Sequence, residues 1–198
     1  MTLPLILCLV ATVIPVFFSR LSSAPAWLSL QGLALAWVAL TGHEVVSTHA
    51  TMVALELLLV RSVLVPYLLR GALRQSVRAR MSLMPSNLFT WGIAITLIAF
   101  AFKFGDGASS DVRALALGTV AAMAMIALLI LSTNIEPGAQ LVALLFMENA
   151  LALFEFLMAE PWTLPVHLAI SVLFILTVAV GSHILPQSVQ DDGLKEIP

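Results

Sequence analysis

Two glutamates, Glu148 and Glu155, stand seven residues apart in the otherwise apolar run LLFMENALALFEFLM, Leu144 to Met158. On a helix that spacing is nearly two turns, so both carboxyls share one face, about 10 Å apart along the axis. In water such a face is the wet side of an amphipathic helix. In hydrocarbon an acid near the helix centre costs about 3 kcal/mol, and acids retained there mark ion pathways and proton relays. The other reading of Glu148 is a protonated acid hydrogen-bonded to a neighbouring helix for packing alone.

A second set of polar residues sits in apolar surroundings. Arg61 precedes Arg70 by nine residues, about 13 Å of helical rise, which is too deep for its side chain to reach the interface. Pro66 follows and leaves the carbonyl of Ser62 without its α-helical partner. Glu56 is five residues away, which on an α-helix turns it about 140° from Arg61 and excludes a direct pair. The counter-charge of Arg61 is therefore expected on another helix or chain, in a structural ion pair or a transport role. Gln31 needs a hydrogen-bonding partner inside its helix, and Asn149 reads as interhelical glue. Glu155 and His167 are each six residues from Pro161. If the flanking helices form an antiparallel hairpin, the two lie at similar depth and can share a proton. The other reading places Glu155 at the interface and makes His167 a solvated cap. His43 and His49 read as surface residues of a loop, and His183 as interfacial.

The elements that position these residues follow from composition. The chain is 61% hydrophobic and 10% charged, against roughly 25% charged in soluble domains, and its mean hydropathy is +1.06. Seven apolar segments approach the ~20 residues that span a bilayer as helix. They run from Leu3 to Ser19, Ala26 to Glu44, Ala50 to Arg70, Asn87 to Phe104, Val112 to Ser132, Ala139 to Ala159 and Thr163 to Leu185. The expected class is an all-α polytopic transmembrane bundle. SSAPA could pass for a signal-peptidase site, but no positive region precedes the first segment, which is read as a retained helix. Arg70, Arg74, Arg78 and Arg80 share one loop without an acid, which places it in the cytoplasm, the N-terminus outside and the C-terminus inside. That loop also gives the organisation: a three-helix group over 1–80, a four-helix group over 81–186 and a polar, loosely ordered tail over 187–198. A lone Cys8 excludes an internal disulfide. Zinc spacing, phosphate loops and hydrolase motifs are absent, as is the basic, aromatic-laced pattern of nucleic-acid binding. Neither a metal nor a cofactor is expected.

Three motifs carry a resemblance to a family. LLFMENALAL, preceded by STNIEPG, resembles the second helix of the K-type subunit of respiratory NADH:quinone oxidoreductase. It is similar also to the E-type membrane subunit of hydrogenase-4 and formate hydrogenlyase complexes, which carries a similar MEN segment. LVRSVLVPYLL and WLSLQGLAL resemble the third and second helices of that E-type subunit. The resemblance implies a non-catalytic subunit of a complex-I-like assembly in the bacterial cytoplasmic (inner) membrane, with antiporter-like subunits as neighbours. It puts Glu148 at the position of a conducting glutamate and Arg61 at that of a buried lysine. The family's last helix usually carries a second acid where this chain has Ser171, a hydroxyl that cannot hold and release a proton at neutral pH. The expected ion path comprises Glu148, Glu155, His167, Arg61, Glu56, Gln31 and Ser171, with the Glu155–His167 pair supplying the titratable site that Ser171 cannot. A scaffold without conduction and a small stand-alone transporter are the alternatives; the latter calls for an inverted repeat, which the halves of this chain lack.

Overall fold

A computed structural model describes residues 2–18, 20–41, 48–74, 83, 88–104, 111–158 and 162–195, and of the side chains at 18, 104, 184 and 186–195 nothing is said. The described chain is almost entirely helical. Helix α1 is Thr2–Phe18, and a short 3-10 turn, Leu21–Ser23, leads into α2, Ala24–Thr41. Helix α3 spans Thr48–Arg74. It is α-helical over Thr48–Glu56 and Val65–Arg74, and π-helical over Leu57–Leu64 between them. Helices α4 (Leu88–Phe104), α5 (Val112–Thr133), α6 (Pro137–Glu155) and α7 (Leu164–Lys195) complete the bundle.

Local chemistry sets the ends that matter for the site. Between α5 and α6 the Asn134 Oδ1 accepts from the Glu136 backbone N–H at 3.1 Å, and Gln140 Nε2 donates back to the Asn134 carbonyl at 3.0 Å. Pro137 then opens α6 at a position where no backbone N–H is needed. Asp111 caps α5 by accepting the Arg113 backbone N–H at 3.0 Å. Helix α7 runs past Pro186 to Lys195, so the tail suggested as loose chain continues the helix through 187–195.

Helix α6 is the hub. It packs against α5, α7 and α2, while α2 also lies against α1 and α3. Helix α7 rests on α6 and α3, and α4 rests mainly on α5. One core cluster joins the second half of α3 to α5, α6 and α7 through Leu69, Ile130, Phe146 and Phe174. The other joins α1 and α2 to α5 and α6 through Cys8, Leu35, Met123 and Leu153. Small residues bring backbones close where helices cross: a Cβ on Gly32 would stand 2.7 Å from the Arg61 carbonyl carbon.

The outside of this bundle is apolar. Leu59, Tyr67, Phe89, Leu128 and Leu176 are among many large hydrophobic side chains left exposed, the reverse of what a water-soluble surface presents. Among the described residues five helices are long and apolar enough to cross a bilayer: Leu21–Thr41, Thr48–Arg74, Val112–Thr133, Pro137–Glu155 and Leu164–His183. Two shorter apolar helices, Thr2–Phe17 and Leu88–Lys103, coincide with the first and fourth apolar segments of the sequence. The chain is a helical membrane protein.

Candidate functional site

Helix α7 turns one face toward α6 and α3, and that face carries His167, Ser171, Phe174 and Thr177. Steps of four, three and three residues keep them in line over about 15 Å. Each meets an ionisable side chain from a neighbouring helix.

At the end nearest the α6–α7 connection, His167 Nε2 lies 2.7 Å from Glu155 Oε1, with both side chains buried. The same oxygen accepts the Trp162 backbone N–H at 3.2 Å. The Trp162 and His49 rings flank the imidazole, with centroids 6.3 and 6.0 Å from it. Equal distance from the turn thus brings the acid and the imidazole together as the sequence suggested, and His49, read as a surface residue, is half-buried against them.

One turn on, the Ser171 hydroxyl donates to Glu56 Oε1. A carboxylate therefore does stand beside Ser171, contributed by α3. Glu155 and His167 were expected to compensate for the serine, yet the acid in contact with it is Glu56.

Phe174 comes next, with the Arg61 guanidinium carbon 4.4 Å from its ring centroid. Arg61 is 2% exposed. Its Nη1 donates to Asn149 Oδ1 at 2.8 Å and to the Glu148 backbone carbonyl at 3.2 Å. Partners from another helix were expected, but a direct counter-charge is not what they provide: both acceptors are neutral. Glu56, Glu148 and Glu155 act on the guanidinium coulombically from nearby. Glu56 does so because the 140° separation from Arg61 assumed an α-helix. Over Leu57–Leu64 the ladder is i→i+5, with the Val65 N–H bonded to the Val60 carbonyl. At about 4.4 residues per π turn, five residues come back to within about 50°. In that ladder the carbonyl that Pro66 leaves without an i→i+5 partner is that of Arg61. Ser62 instead turns its hydroxyl across to the Ser29 carbonyl of α2 at 3.0 Å.

Thr177 closes the row. Its Oγ1 lies 2.9 Å from Glu148 Oε1 and 3.0 Å from the Leu173 carbonyl. One hydroxyl proton serves one acceptor at a time. The threonine can donate to a Glu148 carboxylate, or donate to Leu173 and accept from the protonated acid. Glu148 Oε2 and Arg61 Nε are buried without a hydrogen-bond partner.

Behind Arg61 a second series leads away from α7. Asn149 Nδ2 donates to Gln31 Oε1 at 2.8 Å, Gln31 Nε2 to Thr12 Oγ1 at 2.6 Å, and Thr12 Oγ1 to the Cys8 carbonyl at 2.9 Å. Asn149 is the interhelical glue the sequence suggested, and Gln31 is its partner. Thr12 was missed, since a lone threonine in an apolar helix gives no sign that it meets an amide. The readings on His43, Arg78 and Arg80 fall outside the described residues. Among the described residues no group of three or more His, Cys, Asp or Glu could hold a metal ion.

Compared with known proteins, the chain matches no family model, no curated protein and no solved structure.

Proposed function

We propose that this chain is a non-catalytic membrane subunit of a complex-I-like redox assembly of the hydrogenase or formate hydrogenlyase type, forming part of a proton or ion path between antiporter-like subunits of the bacterial cytoplasmic membrane. One observation carries the reading: His167 with Glu155, Ser171 with Glu56, Phe174 with Arg61 and Thr177 with Glu148 succeed one another along a single helix face inside an apolar bundle. Three acids and an imidazole set along one face in hydrocarbon, around a guanidinium that stays charged, are the kind of groups a relay requires. The sequence resemblance supplies the type of complex. The reading has seven spans, including Thr2–Phe18 and Leu88–Phe104, with the N-terminus outside and the C-terminus in the cytoplasm.

The scaffold reading has its own support, because Arg61, Asn149, Gln31 and Thr12 form a chain of bonds that would hold four helices together whether or not ions move. Two experiments separate the readings. Gentle purification from native membranes should recover antiporter-like and redox subunits with the chain, and a stable monomer without them would overturn the subunit assignment. In the recovered assembly, Glu148→Gln should leave composition intact and abolish ion translocation measured in vesicles. Unchanged translocation would make the chain a scaffold.

A further inference from the structure

The series from Arg61 to Cys8 has only one possible direction. A guanidinium only donates and a backbone carbonyl only accepts. Arg61 must therefore give to the Asn149 oxygen, leaving its nitrogen to give to the Gln31 oxygen. Gln31 in turn gives to Thr12, whose proton is left for the Cys8 carbonyl. Reversing either amide would set donor against donor, so the end groups fix both orientations. Thr12, Gln31 and Asn149 have no exposed surface, so bulk water does not reach these bonds.

The series ends on Arg61 next to Glu148, and the two are adjacent without pairing. Arg61 reaches the main-chain carbonyl of Glu148 and the side chain of Asn149. The Glu148 carboxyl instead meets Thr177, and its second oxygen has no donor. Position 149 thus intercepts the guanidinium that position 148 would otherwise engage. We propose that Thr12, Gln31 and Asn149 are positioning residues that hold Arg61 away from the Glu148 carboxyl, leaving that carboxyl able to take up and release a proton in place of being locked into an ion pair. This deepens the proposed role of Glu148 in an ion path, but its test reads the acid itself and needs no transport.

The carbonyl stretch of protonated Glu148 is identified by infrared difference against Glu148→Gln, on the full chain isolated from its native membranes into lipid with whatever accompanies it. Spectra are compared at the pH where the wild-type band is half its maximum. Asn149→Leu keeps the branched four-atom shape of the side chain and removes the interceptor. An opposite charge at hydrogen-bond distance moves a carboxyl equilibrium about tenfold toward the ionised form, so the band should fall about fivefold. Thr12→Val, which frees Gln31, should lower it less, and Thr12→Ser should match the wild type. A folded Asn149→Leu protein with an undiminished band overturns the proposal. Should that variant fail to fold, equal bands in Thr12→Val and Thr12→Ser overturn it instead.

Discussion

Arg61 combines depth with neutral company. Its guanidinium meets an amide, a carbonyl and a phenyl ring, and the acids around it act at longer range. The backbone beneath it is equally constrained. Gly32 lets α2 approach so closely that an added Cβ would stand 2.7 Å from both the Arg61 carbonyl carbon and the Ser62 nitrogen. These are main-chain atoms and cannot rotate aside. Gly32→Ala should cost about 1 to 3 kcal/mol, read as a lower Tm in lipid, whereas Gly92→Ala, where nothing lies within 4 Å, should cost nothing. At this scale the sequence was informative in proportion to how local the cause was. The depth of Arg61 and the symmetry of Glu155 and His167 about Pro161 are counting arguments, and all three residues meet partners on other helices. The pairing of Glu56 with Ser171 joins α3 to α7 across the bundle, and nothing near either residue announces it.

Among the elements, α3 departs most from what hydrophobic periodicity suggests. The seven apolar segments were legible because each run of apolar residues is long, and each described helix coincides with one. The π segment was not, since a wider ladder leaves composition unchanged and shows itself only through its neighbours. It places Glu56 beside Ser171 and Arg61 beside Asn149 in one helix. Deleting Leu59, which is exposed and lies between Glu56 and Arg61 within the π segment, should return the ladder toward i→i+4. The part of α3 on one side of the deletion would then turn by about 100° against the other. The two contacts could not both survive. We expect a clearly lowered Tm and loss of ion translocation in the same variant; a deletion that preserved both would mean that the wide ladder is incidental to the site.

For the molecule as a whole, orientation is the property that decides which way any ion path points. The lone Cys8 is fully buried, so the wild-type chain should not react with a membrane-impermeant maleimide. Arg74→Cys, Ile135→Cys and Thr163→Cys each introduce a thiol at an exposed position of a helix end or connection. With the N-terminus outside, the first two should label only in inside-out vesicles and the third only in intact cells. The opposite pattern would invert the topology. The fixed direction of the hydrogen-bonded series from Arg61 to Cys8 has a further consequence for the bundle. A proton crosses an amide only if the amide passes through its imidic tautomer, and a chain ending on a backbone carbonyl has nowhere to deliver one. The flank formed by α1 and α2 is therefore an insulator built of polar groups: it binds the charge of Arg61 in place while offering no leak around the row of ionisable side chains that α3 and α6 present to α7.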